Sequence, residues 1–437
     1  MSEQLTSEPL HPGAVVERYS RVRELGRARL AWLHIHSLDD IRDQRARFDR
    51  GINIILGKNG VGKTTLLEVL ARCLSWDFTP WADRVFDVEY RYELGEWFWN
   101  VRVKNERNGT REDGRPKFRS TIELHARFEE FELRIEAADR KLRRSINGQL
   151  SEFDYEMGLL AGFVLSRRVD DPWANALGVI MAPCGAGRNL VRFDEGLDVF
   201  RSLVFESGDS REVRMQFEAG EASWQADAPS YFGLGSWVSL PRPQEIARAP
   251  EDLVRLSSDE LKISVAVVES LGVASLDASF GRPEIERKGS ITEVRLSSLA
   301  FFMKRKNGDI LKHTSWSWGQ KRLVAFALYL AANPDYVVAD ELVNGMHHEW
   351  IELCLREIAD RQCFFTSQNP ILVDFIELRS VQQISDAFVL CHAEEASDGG
   401  VVRTLRNLTT AEAQRLWDAR SVGLQSTSEI MRFNGWW

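Results

Sequence analysis

Nine residues, Gly57 to Thr65, read GKNGVGKTT. Glycine, four variable residues and then Gly-Lys-Thr form the GxxxxGK[ST] pattern of a loop made to hold phosphate. Gly57, Gly60 and Gly62 let successive backbone N–H groups turn inward around anionic oxygens. The run Gly51 to Leu56 (GINIIL) reads as a short buried strand entering the loop, and an apolar helix, Leu66 to Leu74, leaves it. The start of that helix adds a partial positive charge. Lys63 is expected to reach the β- and γ-phosphates of a nucleotide and the Thr64 hydroxyl to hold Mg²⁺, while Asn59, Gly60 and Thr65 supply more of the wall.

A second group of residues lies far down the chain. Tyr336 to Glu341 reads YVVADE, a short apolar strand ending in two carboxylates. Such a strand delivers Asp340 beside Mg²⁺ and places Glu341 to orient and activate an attacking water. Alone, the pair reads as a solvated strand end; beside a phosphate loop and its neighbouring motifs, it reads as chemistry. Upstream, SWSWGQKRLVAFALYLAANPD begins at Ser315, and Ser317 with Gly319 at a helix start makes an anion site. Downstream, CFFTSQNP (Cys363 to Pro370) is an apolar strand running into Thr366-Ser367-Gln368, with Asn369 as helix cap and Pro370 at the first helical position.

These segments resemble a known family. Ser317-Trp318-Gly319-Gln320 resembles the LSGGQ signature of ABC ATPases, with Trp316 and Trp318 as departures. LVNGMHHEW, after Glu341, resembles the PENGLHP stretch of soluble ATPases of the RecF, OLD and chromosome-maintenance (SMC-like) branch; Asn344, Gly345 and His347 match, and Leu342 and Val343 depart. CFFTSQNP looks like that family's THSP switch, with Gln368 where histidine is usual. Glutamine can hydrogen-bond a γ-phosphate but carries neither proton nor charge. The resemblance implies an α/β P-loop NTPase with an ABC-type head, ATP and Mg²⁺ as ligands, and Glu341, Lys63 and Gln368 as catalytic groups. It also implies that Ser317, Gly319 and Gln320 touch the γ-phosphate bound to a second copy, so that the chain partners itself in a dimer or higher oligomer. Ala182 to Arg192 (APCGAGRNLVR) resembles a Tyr-Gly-Pro-x-Arg segment of related bacterial ATPases, which would make Arg188 a phosphate sensor; a glycine turn with surface arginines is an equal alternative.

The rest of the chain must position these groups. It has 437 residues, 44% hydrophobic and 28% charged, with a formal net charge of −9, enough for a large core and two or three structural units. The texture predicts one head assembled from residues 1–80 and 301–437, with 81–300 as an inserted antiparallel β-rich lobe and mixed helical lid. Alternating stretches such as FDVEYRYE, from Phe86, and the Asn147-Gly148 turn carry that expectation. The first 30 residues read as a polar arm. Without a long apolar run or a leader pattern, no membrane partner is expected, and the five cysteines read as buried thiols of a cytoplasmic protein.

Basic residues crowd Val101 to Ser120 and recur at Arg140-Lys141 and Arg143-Arg144. Solvated hairpin tips are the favoured reading of these runs; nucleic acid is the alternative partner. Adjacent His347 and His348 point apart on a helix and do not suit one metal. Trp436 and Trp437 are expected to dock on the protein's own core or on a partner. The function implied is an ATP-hydrolysing switch, the ATPase component of a bacterial antiphage defence system working with a separate effector such as a nuclease. The alternatives are a RecF-like DNA repair ATPase and a scaffold that binds ATP without hydrolysing it.

Overall fold

Apolar residues at every second position dominate much of the first third of the chain, and they fold as sheet. The computed structural model describes residues 12–13, 17, 26–129, 131–138, 141–154, 181–184, 190, 192–200, 213–218, 224–225, 253–281, 284–288, 291–296, 300–395, 399–423 and 425–436. Arg188 and most of the expected amino-terminal arm lie outside these residues. Two units are present: Met1–Arg188 with Leu378–Trp437, and Asn189–Glu377.

In the first unit the strands, numbered in chain order, are β1 (Arg29–Leu38), β2 (Ile41–Arg47), β3 (Ile52–Leu56), β4 (Phe86–Leu94), β5 (Trp97–Thr110), β6 (Pro116–Phe128), β7 (Phe131–Ala138), β8 (Lys141–Ile146) and β9 (Gln149–Asp154), joined by two late strands, β20 (Phe388–Glu395) and β21 (Val401–Asn407). Their order is β3-β20-β21-β2-β1-β4-β5-β6-β7-β8-β9. From β1 to β9 successive neighbours pair antiparallel, whereas β3 runs parallel to β20. In β5 every second residue from Trp97 to Asn105 is buried, the period expected of a pleated strand with one covered face. Asn147 (φ 45°) and Gly148 (φ 86°) make the two-residue turn between β8 and β9, the conformation for which Asn-Gly is suited.

Helix α1 (Lys63–Ser75) is anchored to this sheet by aromatic rings. Trp76, Phe78, Trp81, Phe86, Tyr90 and Tyr92 are all buried. Trp76 stacks on Tyr92 at 5.9 Å between centroids, and the Tyr92 hydroxyl donates to the Cys73 carbonyl at 3.0 Å near the end of α1. Burying one such ring stabilises by about 2–3 kcal/mol. The fully buried Asn105 amide donates to the carbonyls of Trp81, Ala82 and Arg84 and so pins the loop after α1 to β5.

The second unit contains α2 (Phe193–Phe200), β10 (Val213–Glu218), β11 (Trp224–Gln225), β12 (Leu253–Leu256), α3 (Val265–Ser270), β13 (Val273–Gly281), β14 (Glu284–Lys288), β15 (Ile291–Leu296), β16 (Ala300–Arg305), β17 (Ile310–Lys312), α4 (Trp318–Ala332), β18 (Tyr336–Ala339), α5 (His348–Ile358), β19 (Gln362–Thr366) and α6 (Pro370–Asp374). Two four-stranded antiparallel sheets, β11-β10-β15-β14 and β12-β13-β16-β17, make up its β structure together with the parallel pair β18 and β19. Helix α4 is buried along most of its length. Its Phe326 and Tyr329 meet Phe193 edge-on at 5.3 and 5.6 Å, and the Tyr329 hydroxyl accepts the Val338 N–H at 3.2 Å, which ties α4 to β18.

The chain closes in the first unit with α7 (Val381–Ala387), α8 (Thr410–Val422) and α9 (Thr427–Phe433). Trp436 is buried, with its N–H on the Met431 carbonyl at 3.0 Å; Trp437 lies outside the described residues. All five cysteines are buried free thiols. Among the described residues no helix is long and apolar enough to cross a membrane.

Candidate functional site

The phosphate loop lies between β3 and α1 in the first unit. Gly57, Gly60 and Gly62 have φ of 141°, 81° and 101°, left-handed conformations that side chains rarely adopt. At Gly57 a Cβ would come 2.4 Å from the Cys391 carbonyl oxygen; at Gly62 it would come 2.8 Å from Arg403 Cδ; at Gly60 it would meet open space. The buried Lys63 folds back along the loop, its Nζ donating to the carbonyls of Gly57 (2.8 Å) and Lys58 (2.9 Å). No side chain caps the start of α1, and Asn59, Gly60 and Thr64 are exposed. This is a backbone cradle at a helix start, and it fits a polyphosphate. Arg403 of β21 braces it: its Nη1 donates to Asp40 Oδ1 at 2.6 Å, and its side chain packs against Gly62. Burial pushes the Cys391 thiol up to about 12, against the pull of nearby Lys63, so this cysteine stays neutral beside the loop.

In the second unit, Asp340 and Glu341 follow β18. The Thr366 hydroxyl donates to Asp340 Oδ1 and accepts the Glu341 N–H at 3.1 Å. Glu341 has φ 49°, a left-handed conformation costing about 1–2 kcal/mol in a non-glycine residue. Both its carboxylate oxygens are engaged: Gln368 Nε2 donates to Oε1 and Asn344 Nδ2 to Oε2. Each oxygen keeps a further lone pair for a water proton. Asn369 caps α6 with its side chain on the Ile371 N–H at 3.0 Å, and Pro370 follows at the first helical position.

Ser317 caps α4, at 3.3 Å from the Gln320 N–H, while the Gln320 side chain returns to the Ser317 N–H at 2.9 Å. That reciprocal capping box occupies Gln320, and it leaves the exposed Ser317 hydroxyl proton directed by none of these bonds. Gly319 is buried where a Cβ would lie 2.9 Å from both the Gly345 carbonyl oxygen and a Trp350 ring carbon. A glycine is needed there for the segment after Glu341 to approach the helix.

Within the second unit, then, Asp340, Glu341 and Gln368 are brought together, and Ser317, Gly319 and Gln320 form one helix start; within the first, Gly57, Asn59, Gly60, Gly62, Lys63, Thr64 and Thr65 form one loop. Two contributors, Arg322 and Asp194, were not read from the sequence. Arg322, 7% exposed, donates from Nε to the Leu342 carbonyl (2.8 Å) and from Nη2 to the Glu341 carbonyl (2.6 Å). A lone arginine inside an apolar helix was the signal available. Asp194 accepts the Asp340 N–H at 3.0 Å; burial raises its carboxyl above the usual range, and its ion pair with Arg192 opposes this. Thr366 links Asp340 to Glu341 as described. In the β4–β9 region many basic residues pair with carboxylates: Arg102 with Asp87, Lys104 with Glu106, Lys141 and Arg143 with Glu152.

Residues 33–155 match the family model of an AAA domain. No curated protein sequence matches the chain. Similar solved structures include the SmcHead bound to the C-winged helix domain of ScpA (10% identity, 87% of this chain and 99% of that chain covered, TM-score 0.39). Others are the Smc head domain with a coiled coil and joint from Pyrococcus yayanosii (10%, 90% and 100%, 0.38) and the recombination mediator protein RecF-ATPrS of the RecFOR pathway (14%, 88% and 99%, 0.30). Strand, glycine loop and helix in that order, with the AAA match across β1 to β9, define an α/β P-loop NTPase. The capped helix at Ser317, the Asp340-Glu341 strand end and the Thr366–Gln368 segment are the places whose sequence resembles ABC-type ATPase motifs.

Proposed function

We infer that the chain is an ATP-binding and ATP-hydrolysing switch that joins a second copy of itself through composite ATP sites. The observation that carries this reading is the Glu341 carboxylate, held in a left-handed turn by Asn344 and Gln368 next to an Asp340 fixed by Thr366. Such ordering is what a residue that aligns a water needs. The proposal assigns the nucleotide phosphates to the backbone of Gly57, Asn59, Gly60 and Gly62, to Lys63 and to Thr65. Thr64 and Asp340 are assigned to Mg²⁺, which when bound neutralises charge developing on the phosphoryl oxygens. Lys63 spends two of its three N–H donors on the Gly57 and Lys58 carbonyls, so the third is available to a phosphate while the loop stays braced. Ser317, Gly319 and Gln320 are assigned to the γ-phosphate carried by the second copy.

For the biological setting we favour an antiphage defence ATPase working in the cytoplasm with a separate effector such as a nuclease. The irregular insertion and the glutamine at the switch position support it by resemblance to that group. A RecF-like repair ATPase, with nucleic acid as partner, is the alternative. A scaffold that binds ATP without hydrolysing it is favoured by one observation: Gln368 is already engaged with Glu341 and carries no charge.

Light scattering with and without ATP-Mg²⁺, on the wild type and Glu341→Gln, with phosphate release followed in parallel, separates these readings. ATP-driven association that Glu341→Gln locks without phosphate release supports the switch. Association without phosphate release in either protein selects the scaffold. Constant mass with no phosphate release in either protein refutes the switch for the chain alone.

A further inference from the structure

Strand β1 carries His34 and His36, two positions apart and so on one face of the sheet. Their rings converge to 3.7 Å between centroids. Two irregularities at the same level produce this. Against β4, the β1 register shifts between Ile35↔Val88 and Ser37↔Asp87, which leaves His36 as a bulged residue. On the other side, β2 places Asp43, at φ 50°, opposite His36 in the register between Ile35↔Gln44 and Ser37↔Arg42. Each imidazole faces a carboxylate: His34 Nε2 is 2.7 Å from Asp43 Oδ1, and His36 Nε2 is 3.1 Å from Glu89 Oε2.

We propose that His34, His36, Asp43 and Glu89 form a binding site for one transition-metal dication of the zinc type, separate from the phosphate loop and the Asp340-Glu341 strand end. One nitrogen or oxygen from each of His34, His36 and Asp43 already lies within 4.8 Å of the others. Ligand atoms in a tetrahedral zinc site stand roughly 3.3 Å apart, given metal–ligand bonds of about 2.0–2.1 Å. The remaining closure falls on groups able to move: the Asp43 side chain is 87% exposed, and those of His36 and Glu89 are about a quarter to a third exposed. His34, 3% exposed, is the fixed anchor. Two neutral imidazoles with two carboxylates carry a charge of −2, which matches a dication, and imidazole ligands select zinc, cobalt or nickel over magnesium or calcium.

The proton inventory is definite. Arg45 Nε donates to His34 Nδ1 at 3.2 Å, so His34 Nδ1 accepts and the ring proton sits on Nε2, facing Asp43. A metal on Nε2 displaces that proton to Nδ1, and the exposed Arg45 withdraws into solvent. Arg45 therefore competes with the metal. Once bound, the ion joins β2, β1 and β4, adjacent strands of the first unit's sheet.

The test is a Co²⁺ titration of the full chain after chelator dialysis, without nucleotide, reading visible absorption and stoichiometry, with Zn²⁺ competition. One equivalent of Co²⁺ showing the intense bands of a low-coordinate site, displaced by Zn²⁺, is expected. His36→Gln and Asp43→Asn, at accessible positions, should each weaken binding at least about tenfold, and Arg45→Ala should tighten it about threefold to tenfold. Asp340→Asn should leave the titration unchanged. Absence of the bands, unaltered affinity in both His36→Gln and Asp43→Asn, or loss of the signal in Asp340→Asn overturns the proposal.

Discussion

Replacing Arg322 by methionine keeps most of the side-chain volume and removes both donors. The Leu342 and Glu341 carbonyls, bonded at 2.8 and 2.6 Å, then lose charged partners, and the Phe193 ring loses a guanidinium 5.4 Å from its centre. A hydrogen bond from a charged donor is worth about 1.5–3 kcal/mol, so two amount to about 3–6 kcal/mol. Relief from burying the guanidinium offsets part of this, leaving about 3 kcal/mol. In a unit the size of Asn189–Glu377, each kcal/mol moves the midpoint by about 2–4 °C, so the midpoint should fall by about 6–12 °C in calorimetry. The same carbonyls fix the turn that aims Glu341, so kcat for phosphate release should drop roughly tenfold while KM changes little. Arg322→Lys, a single-point donor, should recover less than half of either loss. A midpoint within 2 °C of the wild type, together with an unchanged kcat, would show that Arg322 neither supports the unit nor positions Glu341.

Further expectations follow from the same geometry. Gly57→Ala sets a Cβ 2.4 Å from the Cys391 carbonyl at φ 141°, so it should cost about 3 kcal/mol or more and abolish nucleotide binding in a fluorescent-ATP titration. Glu412 is held down to about 2, first by Arg406 and then by its bonds to Thr409, against an ordinary 4.5. Its folded pKa is depressed, so its contribution is whole above pH 4.5 and fades as the pH falls towards 2; Glu412→Gln should flatten melting temperature against pH in that window. Trp436→Ala should destabilise by about 3 kcal/mol, read as a shift in urea midpoint, since that ring is 5% exposed.

What could be read in advance was local. The phosphate loop, its entering strand and leaving helix, the Phe86 alternation and the Asn147-Gly148 turn each carry their conformation in neighbouring residues. So does the Asn369-Pro370 helix start. The same holds for Ser317 and Gln320, whose S-x-x-Q spacing spells a capping box, although the family resemblance suggested a nucleotide contact for Gln320 instead. What could not be read was distant in sequence. Asp194 serves Asp340 from 146 residues away, and Arg403 meets Asp40 across 363. No periodicity or spacing encodes such partners; only the closed chain brings them together. The late strands β20 and β21 were missed for the same reason, because their place in the sheet is set by β3 and β2.

That placement bears on how the protein is made. Strand β3 leaves the ribosome early, but its parallel neighbour β20 is encoded about 330 residues later. At about 5–20 residues per second, the interval is roughly a quarter of a minute to a minute. Asn189–Glu377, a continuous segment, is fully synthesised before the first unit has its last strands. The nascent chain therefore holds an unpaired β3 edge, and a phosphate loop without the Cys391 and Arg403 that close around Gly57 and Gly62, for most of its translation. A chain truncated before Phe388 and released from the ribosome should present a folded second unit and a first unit still open to proteases and chaperones.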